Sequence, residues 1–554
     1  MRQSAPPSMP RQCNDVGIHC VRCCFHGFAM SSTCSCSRSH LSARPTRFVT
    51  TRLARAIARA AVVSLVATAT FTASANTIHV APNGIGQVLI FPYYSTRGGT
   101  VSLISLVNTT TAAKAVRVNV REARRGAVVA RINLYLSAKD VWTGAIVNDV
   151  DGATIITNDT SCTAPAIGSG LPFSNAEFLT DKNPYPGVLY DTRDRTREGY
   201  LEIIEMATIP NASPTGMSVT HVAGKPNCVK AGPLADVAFE PAVADLKAPS
   251  GGLMGTLSFV NVNKGMLAST PATALDGFWL TGPAAPALRV WAANSGEINL
   301  TSGKNTSVAH SAQGSRYISR FANSIDAVSA AMMSDTVSSE YAFTADQVIA
   351  TTMVMSLPTK PYYVLPAALV IAPPAKPPFQ RAWDAGEAKS CDDTQSLSTD
   401  REEFVGLSND DFIRVPTLPS TLASPCFVAN PISISYQAGA SSTPDQSFLG
   451  SILTVHQFAS QNQGVTVVSA GKEGGHIQIT PINPNAFLTP LESSVLQRNS
   501  TGAVVSVPVS ATLYGLPIVG FTLSQAAYQT GSPQQNYGDM TPMRSSSKVA
   551  VTPQ

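Results

Sequence analysis

The sequence has few charged residues. Asp, Glu, Lys and Arg make up 13% of its 554 residues, about half of the share in ordinary soluble domains. Small and β-branched side chains take their place, which is common in exported, β-rich proteins. After residue 75, no run of Lys or Arg is present beyond "REARR" at 121–125, which is typical of a solvated strand or turn. We therefore expect no nucleic-acid partner.

The sequence motifs of several enzyme classes are missing. The chain contains no HExxH, no GxSxG and no P-loop pattern, and "NGIGQV" at 83–88 lacks the glycine spacing of a dinucleotide site. The five histidines after residue 75 are dispersed and form no HxH pair. These absences favour a non-enzymatic protein over a zinc hydrolase or a serine hydrolase.

No apolar run reaches the about 20 residues of a membrane-spanning helix. The short apolar stretch 60–69 follows the arginines of "TRLARAIAR" at 51–59 and precedes Ala73-Ser74-Ala75. This order is typical of a secretory signal peptide. We predict a signal peptide at 51–75. The remaining chain is expected to have no transmembrane segment and to be periplasmic, exposed on the outer surface or secreted.

Residues 1–50 hold six of the ten cysteines. The spacing Cys20-x-x-Cys23 occurs in zinc sites, but a signal peptide normally begins within a few residues of the initiator methionine. We therefore predict that residues 1–50 are a mis-annotated or disordered leader. Without residues 1–75, 30 basic and 34 acidic residues remain, so the net charge changes from +4 to −4.

Four cysteines follow the predicted signal peptide: Cys162, Cys228, Cys391 and Cys426. An even number of cysteines in an exported chain favours disulfides. Three pairings are possible, and we favour Cys162–Cys228 with Cys391–Cys426 because each pair then stays inside one predicted domain. A tetrathiolate metal site would need close pairs such as CxxC, which are absent here.

Short segments of alternating apolar and polar residues recur between turn-forming residues. Examples are "TVSLISLVN" (100–108), "KAVRVNVRE" (114–122) and "EGYLEIIEMA" (198–207). This pattern predicts antiparallel strands with one face towards a core. The fold class that we predict is mainly β, with two antiparallel β-sandwich domains (Ig-like or jelly-roll-like) and few short helices. The best helical pattern lies at 320–335.

The predicted domain boundaries follow changes in composition. We expect an N-terminal β-sandwich domain at 76–248 and a C-terminal β-rich domain at 249–540. A long proline-rich and acidic loop is expected at 357–430, and a disordered tail at 541–554.

One Asx-rich segment resembles a cation site. In "NDVDGATIITNDTSC" (148–162), the carboxylates of Asp149, Asp151 and Asp159 offer the hard oxygen ligands that calcium prefers. The segment does not fit the EF-hand pattern, and Asx residues between strands are commonly turns. Calcium is therefore a minor alternative here, and no other cofactor is expected.

Two groups of carboxylates are alternative candidates for an acidic site. The first is in "CDDTQSLSTDREEF" (391–404) and comprises Asp392, Asp393, Asp400, Glu402 and Glu403. Paired carboxylates of this kind hydrolyse glycosides, although acidic loops are usually solvated surface. The second pair, Glu202 and Glu205, is separated by an odd number of positions, so the two side chains are expected on opposite faces of a strand.

Several segments resemble a family of exported proteins of Gram-negative bacteria that are labelled hypothetical or cell-surface proteins. They include "GQVLIFPYYSTRGGTVSLISLVNTT", "INLYLSAKDVWTGAI", "REGYLEIIEM" and "LPTKPYYV". The similarity runs from about residue 78 to residue 540. It implies export and brings no activity or site residues with it.

Three functions remain as hypotheses from the sequence. The first is an exported envelope or cell-surface β-sandwich protein that binds a partner, such as an envelope glycan or a surface protein, or has a structural role. The second is an exported glycan-acting hydrolase that uses the acidic residues of 391–404 or Glu202 and Glu205. The third is a calcium-stabilised adhesin.

Overall fold

The computed structural model describes residues 77–179, 181, 191–228, 245–281, 290–296, 298–344, 349–365, 378–379, 383, 397–407, 411–416, 420–422, 426–434, 448–453, 457–458, 472–481, 486–527 and 536–553. All of them belong to the compact unit Leu65–Gln554. The predicted leader and signal peptide lie outside these residues. The fold is mainly β, as the alternating segments predict.

The strands are, in chain order, β1 (His79–Val80), β2 (Val88–Ser95), β3 (Val101–Asn108), β4 (Ala113–Glu122), β5 (Val128–Leu136), β6 (Val141–Asn148), β7 (Ala153–Ile156), β8 (Cys162–Ala164), β9 (Leu171–Pro172), β10 (Glu198–Ile209), β11 (Leu253–Asn261), β12 (Met266–Pro271), β13 (Thr273–Asp276), β14 (Thr306–His310), β15 (Arg316–Arg320) and β16 (Met333–Ser334). They continue with β17 (Thr336–Thr344), β18 (Ile349–Ser356), β19 (Leu397–Leu407), β20 (Asp411–Pro416), β21 (Ser420–Leu422), β22 (Ala429–Ile434), β23 (Gln457–Phe458), β24 (Lys472–Pro481), β25 (Phe487–Leu488), β26 (Glu492–Arg498), β27 (Val504–Tyr514), β28 (Leu516–Pro517), β29 (Val519–Ala527), β30 (Asn536–Pro542), β31 (Arg544–Ser546) and β32 (Lys548–Pro553).

The helices of the described residues are short. They are α1 (Pro214–Val219), α2 (Ser324–Ala331) and α3 (Pro361–Val364), and α2 confirms the helical pattern at 320–335. At the start of helix α1, the Ser213 side chain accepts a hydrogen bond from the Gly216 N–H and Pro214 occupies the first turn, as is common at helix N-termini. Among the described helices, none is long and apolar enough to cross a membrane.

Seven strands form a sheet that we call the central sheet, in the order β1-β13-β2-β10-β4-β5-β8. Strands β2, β4 and β10 are buried along their whole length. Alternate residues of the sheet enter two different hydrophobic clusters: Leu89 and Phe91 lie in one, Val88 and Ile90 in the other. The central sheet is therefore covered on both faces, whereas a sandwich sheet with one solvated face would bury only alternate residues.

A second sheet, the outer sheet, packs on one face of the central sheet. Its order is β12-β11-β3-β6-β7-β9, with antiparallel pairing throughout. The facing side chains share one core, in which the rings of Tyr93 and Phe259 lie 6.4 Å apart. The predicted alternation is clear in β3 and β6, where every second residue is buried.

The C-terminal half contributes three larger sheets and one strand pair. Their orders are β14-β15-β26-β27-β25 with β32 beside β27, β20-β19-β24-β17-β31 with β21 beside β19, β23-β22-β18-β29-β30, and β16-β28. All of these ladders are antiparallel except that between β22 and β23. Residues from this half, including Val354 and Phe521, enter the core between the central and outer sheets.

Three predicted boundaries need correction. Strands β11 and β13 lie after residue 249 but pair with β3 and β2, so a boundary at 248/249 would cut through both sheets. The tail predicted to be disordered at 541–554 contains β31 and β32, which pair with β17 and β27. Within 357–430, α3 and the paired strands β19, β20 and β21 replace parts of the predicted loop. Strands β11, β13, β31 and β32 have ladder partners that are distant in sequence, and so does β19, which pairs with β24.

One irregularity shapes the middle of the central sheet. Pro92 lies within the buried strand β2, where it cannot donate a ladder hydrogen bond. The register between β2 and β10 shifts at this place, so that Pro92 and Tyr93 lie opposite the single residue Tyr200. Such a bulge is the usual position for proline in a sheet interior. Gly199 is required beside it, because a Cβ there would lie 1.9 Å from the Arg121 carbonyl oxygen.

Candidate functional site

Strand β10 carries three glutamates that are almost fully buried. Each forms an ion pair with a different cation: Glu198 with Arg97 at 2.7 Å, Glu202 with Arg121 at 2.9 Å, and Glu205 with Lys114 at 2.7 Å. A carboxylate in an apolar interior is stable only when it is paired and hydrogen-bonded. These pairs therefore explain how a β-strand with three acids can run through the centre of the protein.

Glu202 is held at the interface with the C-terminal half. The Tyr362 hydroxyl lies 3.1 Å and 3.2 Å from its two carboxylate oxygens, and the Arg121 Nη2 atom donates to the same hydroxyl at 2.5 Å. Burial raises the pKa of Glu202, while Arg121 opposes that rise. The carboxylate is fully buried among structural partners.

Glu205 has a separate set of partners. The Lys114 ammonium donates to it and also to Thr208 and Ser250, at 3.0 Å and 2.6 Å. The backbone N–H groups of Ser250 and Gly251 donate to its carboxylate. The structure thus gives Glu202 and Glu205 different partners, and they do not form the facing pair that a glycoside hydrolase needs.

Another fully buried ionic cluster joins Arg195 to Glu122 and Asp181. Arg195 donates to both Glu122 oxygens, at 2.8 Å and 3.0 Å, and to Asp181 at 2.6 Å. Arg125 donates to the other Asp181 oxygen at 2.8 Å. Burial alone would raise the pKa of Glu122, but Arg195 and the backbone N–H groups of Arg124 and Arg125 lower it to about 2.

Because of this cluster, we expect the stability of the fold to decrease at acid pH. The carboxylate of Glu122 stabilises the fold fully above its ordinary pKa of 4.5, and that contribution is lost as the pH falls towards about 2. The shift corresponds to about 3 kcal/mol. Glu202, with its raised pKa, opposes this trend because the folded state protonates it more readily. We expect the free energy of unfolding in urea to fall between about pH 5 and about pH 2.

The Glu122→Gln variant is the matched test of that expectation. Its amide cannot titrate, so its free energy of unfolding should fall less steeply over the same pH range than that of the wild type. If the free energy of unfolding fell as steeply with decreasing pH in the variant as in the wild type, Glu122 would not be the cause of the acid sensitivity.

The candidate calcium ligands are engaged elsewhere. The Arg193 guanidinium forms ion pairs with both Asp149, at 2.7 Å, and Asp151. Asp159 accepts hydrogen bonds from the backbone N–H groups of Thr143 and Ser161, as in an Asx turn. Among the described residues, no group of three or more His, Cys, Asp or Glu side chains is arranged to hold a metal ion.

The acidic stretch 391–404 is only partly described. Asp392 and Asp393 lie outside the described residues. Asp400, Glu402 and Glu403 lie on β19, whose backbone pairs with β24 and β20. These three residues are therefore in a strand and not in the loop that the sequence predicts.

The predicted cysteine pairing is confirmed for one bond. Cys162 on β8 and Cys228, which follows α1, form a disulfide. Cys426 is also disulfide-bonded, and Cys391 lies outside the described residues, so the pairing Cys391–Cys426 stays a prediction.

A polar cluster around His221 was not anticipated from the sequence. The imidazole Nδ1 lies 2.7 Å from the Ser137 hydroxyl and 3.5 Å from the Asp140 carboxylate, and Nε2 lies 3.2 Å from the Thr160 hydroxyl. The arrangement differs from a catalytic triad, because Ser137 and Asp140 share one nitrogen and Thr160 donates to the Gly224 carbonyl. Its role is to hold the segment after α1 against the β5–β6 turn.

A cavity of about 760 Å³ lies among the described residues. It is lined by 80–84, 271–274, 310–312, 331–334, 518–520 and 545–547, together with Val337, Pro542 and Met543. These stretches come from the central sheet, the edge of the outer sheet at β12, the end of helix α2, the C-terminal sheets and the turns between them. The volume is in the range of pockets that bind small ligands or short peptide segments.

The cavity lining is almost free of charge. Among the described residues that line it, His310 is the only titratable side chain. Burial, together with nearby Arg316 and His79, lowers the pKa of His310 below 6.5, so the imidazole is neutral at pH 7. Serine and threonine hydroxyls, backbone groups and aliphatic side chains make up the rest. Such a surface is suited to an uncharged ligand.

Sheet edges also line this cavity. Val80 belongs to β1, an outermost strand of the central sheet, and Ser545 and Ser546 belong to β31, an outermost strand of a C-terminal sheet. Edge strands present backbone N–H and C=O groups without ladder partners. No sequence motif indicates this site, because most of its residues are small and uncharged and they lie between positions 80 and 547 of the chain.

Comparison with known proteins gives no relative from which a function could be transferred: no protein-family model, curated protein or solved structure matches the chain.

Proposed function

We propose that the protein is exported and acts in the cell envelope or at the cell surface as a binding module. The disulfide between Cys162 and Cys228 carries this proposal, because such bonds persist in oxidising compartments and are rare in the cytosol of mesophiles. The low content of charged residues and the signal-like segment 51–75 support the same location.

The ligand that fits the cavity is an uncharged, extended peptide segment of a partner protein. An ionic ligand would lose its hydration without gaining a counter-charge, because the lining is uncharged at pH 7. The edge strands β1 and β31 offer backbone groups to a peptide in the way that β-augmentation uses them. The mixture of hydroxyl and aliphatic side chains suits alternate residues of such a strand.

Cell fractionation tests the location. We expect the chain from residue 51 onward, produced with an initiator methionine in a Gram-negative host, to be recovered from the periplasm, outer membrane or medium with Cys162 and Cys228 protected from thiol alkylation. Recovery from the cytoplasm alone, with both thiols reactive, would contradict export.

Binding to an array of uncharged hexapeptides tests the cavity. We expect a subset of the peptides to bind, and the Ser545→Trp variant to bind them at least about 10-fold more weakly because the indole occupies the cavity. The matched control is Ser506→Trp, since Ser506 is an exposed serine on β27 outside the cavity. Equal binding by both variants, or no binding by the wild type, would contradict a peptide site here.

A further inference from the structure

One side of the outer sheet faces away from the core and carries no charged side chain. Its outward residues are Val101, Leu103, Ser105 and Val107 on β3, Val141, Thr143, Ala145 and Val147 on β6, Thr154 and Ile156 on β7, Met254, Thr256, Ser258 and Val260 on β11, and Leu267, Ser269 and Pro271 on β12. We call this surface the uncharged face. Aliphatic side chains predominate on it, and all of its polar groups are hydroxyls.

The strand register makes the uncharged face continuous. Leu103 lies directly opposite Ala145 on one side and Ser258 on the other, and Ser258 lies opposite Ser269. Directly opposite residues of antiparallel strands point to the same side of a sheet. The face is open to solvent even at its centre, where Leu103 on the inner strand β3 is 40% exposed.

The size of the uncharged face is that of an interface. Strands lie about 4.8 Å apart and alternate residues about 6.7 Å apart, so each outward side chain covers about 32 Å² and the whole face on the order of 500 Å². Monomeric proteins rarely expose a larger apolar patch. Two such faces in contact would bury about 1,000 Å², which is about the lower limit for a specific interface.

We propose that the uncharged face is the interface of a homodimer, in which two copies of the chain pack their outer sheets against each other. A second copy is the occupant that suits this surface, because it brings no charge that would be buried without a partner. A two-fold axis matches the face with itself, and the hydroxyls of one copy can donate to those of the other. Lipid-binding surfaces usually combine apolar residues with Lys, Arg, Trp or Tyr, and the face has none of these.

The packing would follow the known geometry of stacked sheets. Twisted sheets stack about 10 Å apart with their strands inclined at about 30°. Leu103 lies on an inner strand of the face, so the two copies of this residue would lie near the two-fold axis. A charge introduced at this position would be buried in both copies, and the two identical charges would lie close together.

Sedimentation velocity of the full chain at about 1 to 100 µM tests the dimer. We expect a species with twice the mass of the chain, and a dissociation constant at least about 100-fold higher in Leu103→Lys, because each copy would then bury an unpaired charge. The matched control is Leu491→Lys, since Leu491 lies outside the outer sheet and is 60% exposed; it should leave the dimer intact. Ser258→Lys provides a second test next to Leu103, from a polar residue that is only partly buried.

The alternative outcomes are distinct. A wild type that is monomeric over the whole concentration range overturns the proposal. So does a dimer that persists in both Leu103→Lys and Ser258→Lys when their circular dichroism and melting temperature match those of the wild type. A monomer that binds phosphatidylcholine vesicles, and loses that binding in Leu103→Lys, would assign the face to a lipid surface and would also overturn the dimer.

Discussion

Replacing Arg195 with leucine is expected to lower the free energy of unfolding by about 3–5 kcal/mol. Arg195, Glu122 and Asp181 all have side chains with 0% exposure, and Arg195 stacks 4.5 Å from the centre of the Phe178 ring. Without the guanidinium, two carboxylates would stay buried with fewer partners. A charge that loses its partner in a low-dielectric interior carries its full desolvation cost.

Arg193→Leu is the matched control. Arg193 lies two positions earlier on the same short helical turn, Arg193–Arg197, but it is 23% exposed, and its partner Asp151 is 63% exposed. Exposed ion pairs stabilise proteins by about 0–1 kcal/mol. Urea unfolding at neutral pH should therefore separate the two variants clearly. If the two substitutions lowered the free energy of unfolding equally, burial of the Arg195 cluster would not determine how much the cluster stabilises the fold.

Removing the disulfide with Cys162→Ser and Cys228→Ser together is expected to cost about 4 kcal/mol of unfolding free energy. The two cysteines are separated by 66 positions, so the bond removes much of the conformational freedom of the unfolded chain. In the folded protein it joins β8, an outermost strand of the central sheet, to the segment after α1.

Reduction of the wild type provides the comparison. Because Cys426 is also disulfide-bonded, dithiothreitol removes more than the bond between Cys162 and Cys228. In urea unfolding, the wild type with dithiothreitol should therefore be less stable than the double serine variant without reductant. Equal stability of the two would show that the disulfide of Cys426, predicted to be Cys391–Cys426, contributes nothing measurable. A variant as stable as the oxidised wild type would contradict the expected effect.

The sequence was informative wherever a local pattern determines local structure. The alternation in "TVSLISLVN" correctly predicts β3, because its outward residues face solvent in the folded protein. The apolar spacing at 320–335 correctly predicts α2. The pairing of Cys162 with Cys228 belongs to one of three possible arrangements, which was preferred because each pair then stays inside one predicted domain.

The same reasoning was wrong for "KAVRVNVRE". Its alternation predicts that Arg117, Asn119 and Arg121 face solvent, but the second face of the central sheet is covered and all three are buried. Arg117 illustrates the consequence: its guanidinium donates to Asn133 and to the carbonyls of Trp291, Ala292 and Ser295. Burial, with the nearby charge of Arg131, lowers the pKa of Arg117 to about 10.

The candidate sites in the structure differ from those predicted from the sequence for a related reason. The sequence shows four carboxylates that could act as oxygen ligands: Asp149, Asp151, Glu202 and Glu205. Their arginine and lysine partners lie 42 to 91 positions away in the chain. The cavity and the uncharged face have no sequence signal at all, because small uncharged residues occur throughout this chain. Their existence depends on which strands become neighbours.

The sequence by itself therefore determined that the chain forms β-strands and where many of them lie, because side-chain periodicity is a local property. Only the tertiary structure decided which polar faces are covered, which carboxylates are neutralised by cations, and which surface is left exposed without charge. Those outcomes depend on contacts between residues far apart in the chain, and a strand with alternating polarity has the same sequence pattern whether water or protein covers its polar side.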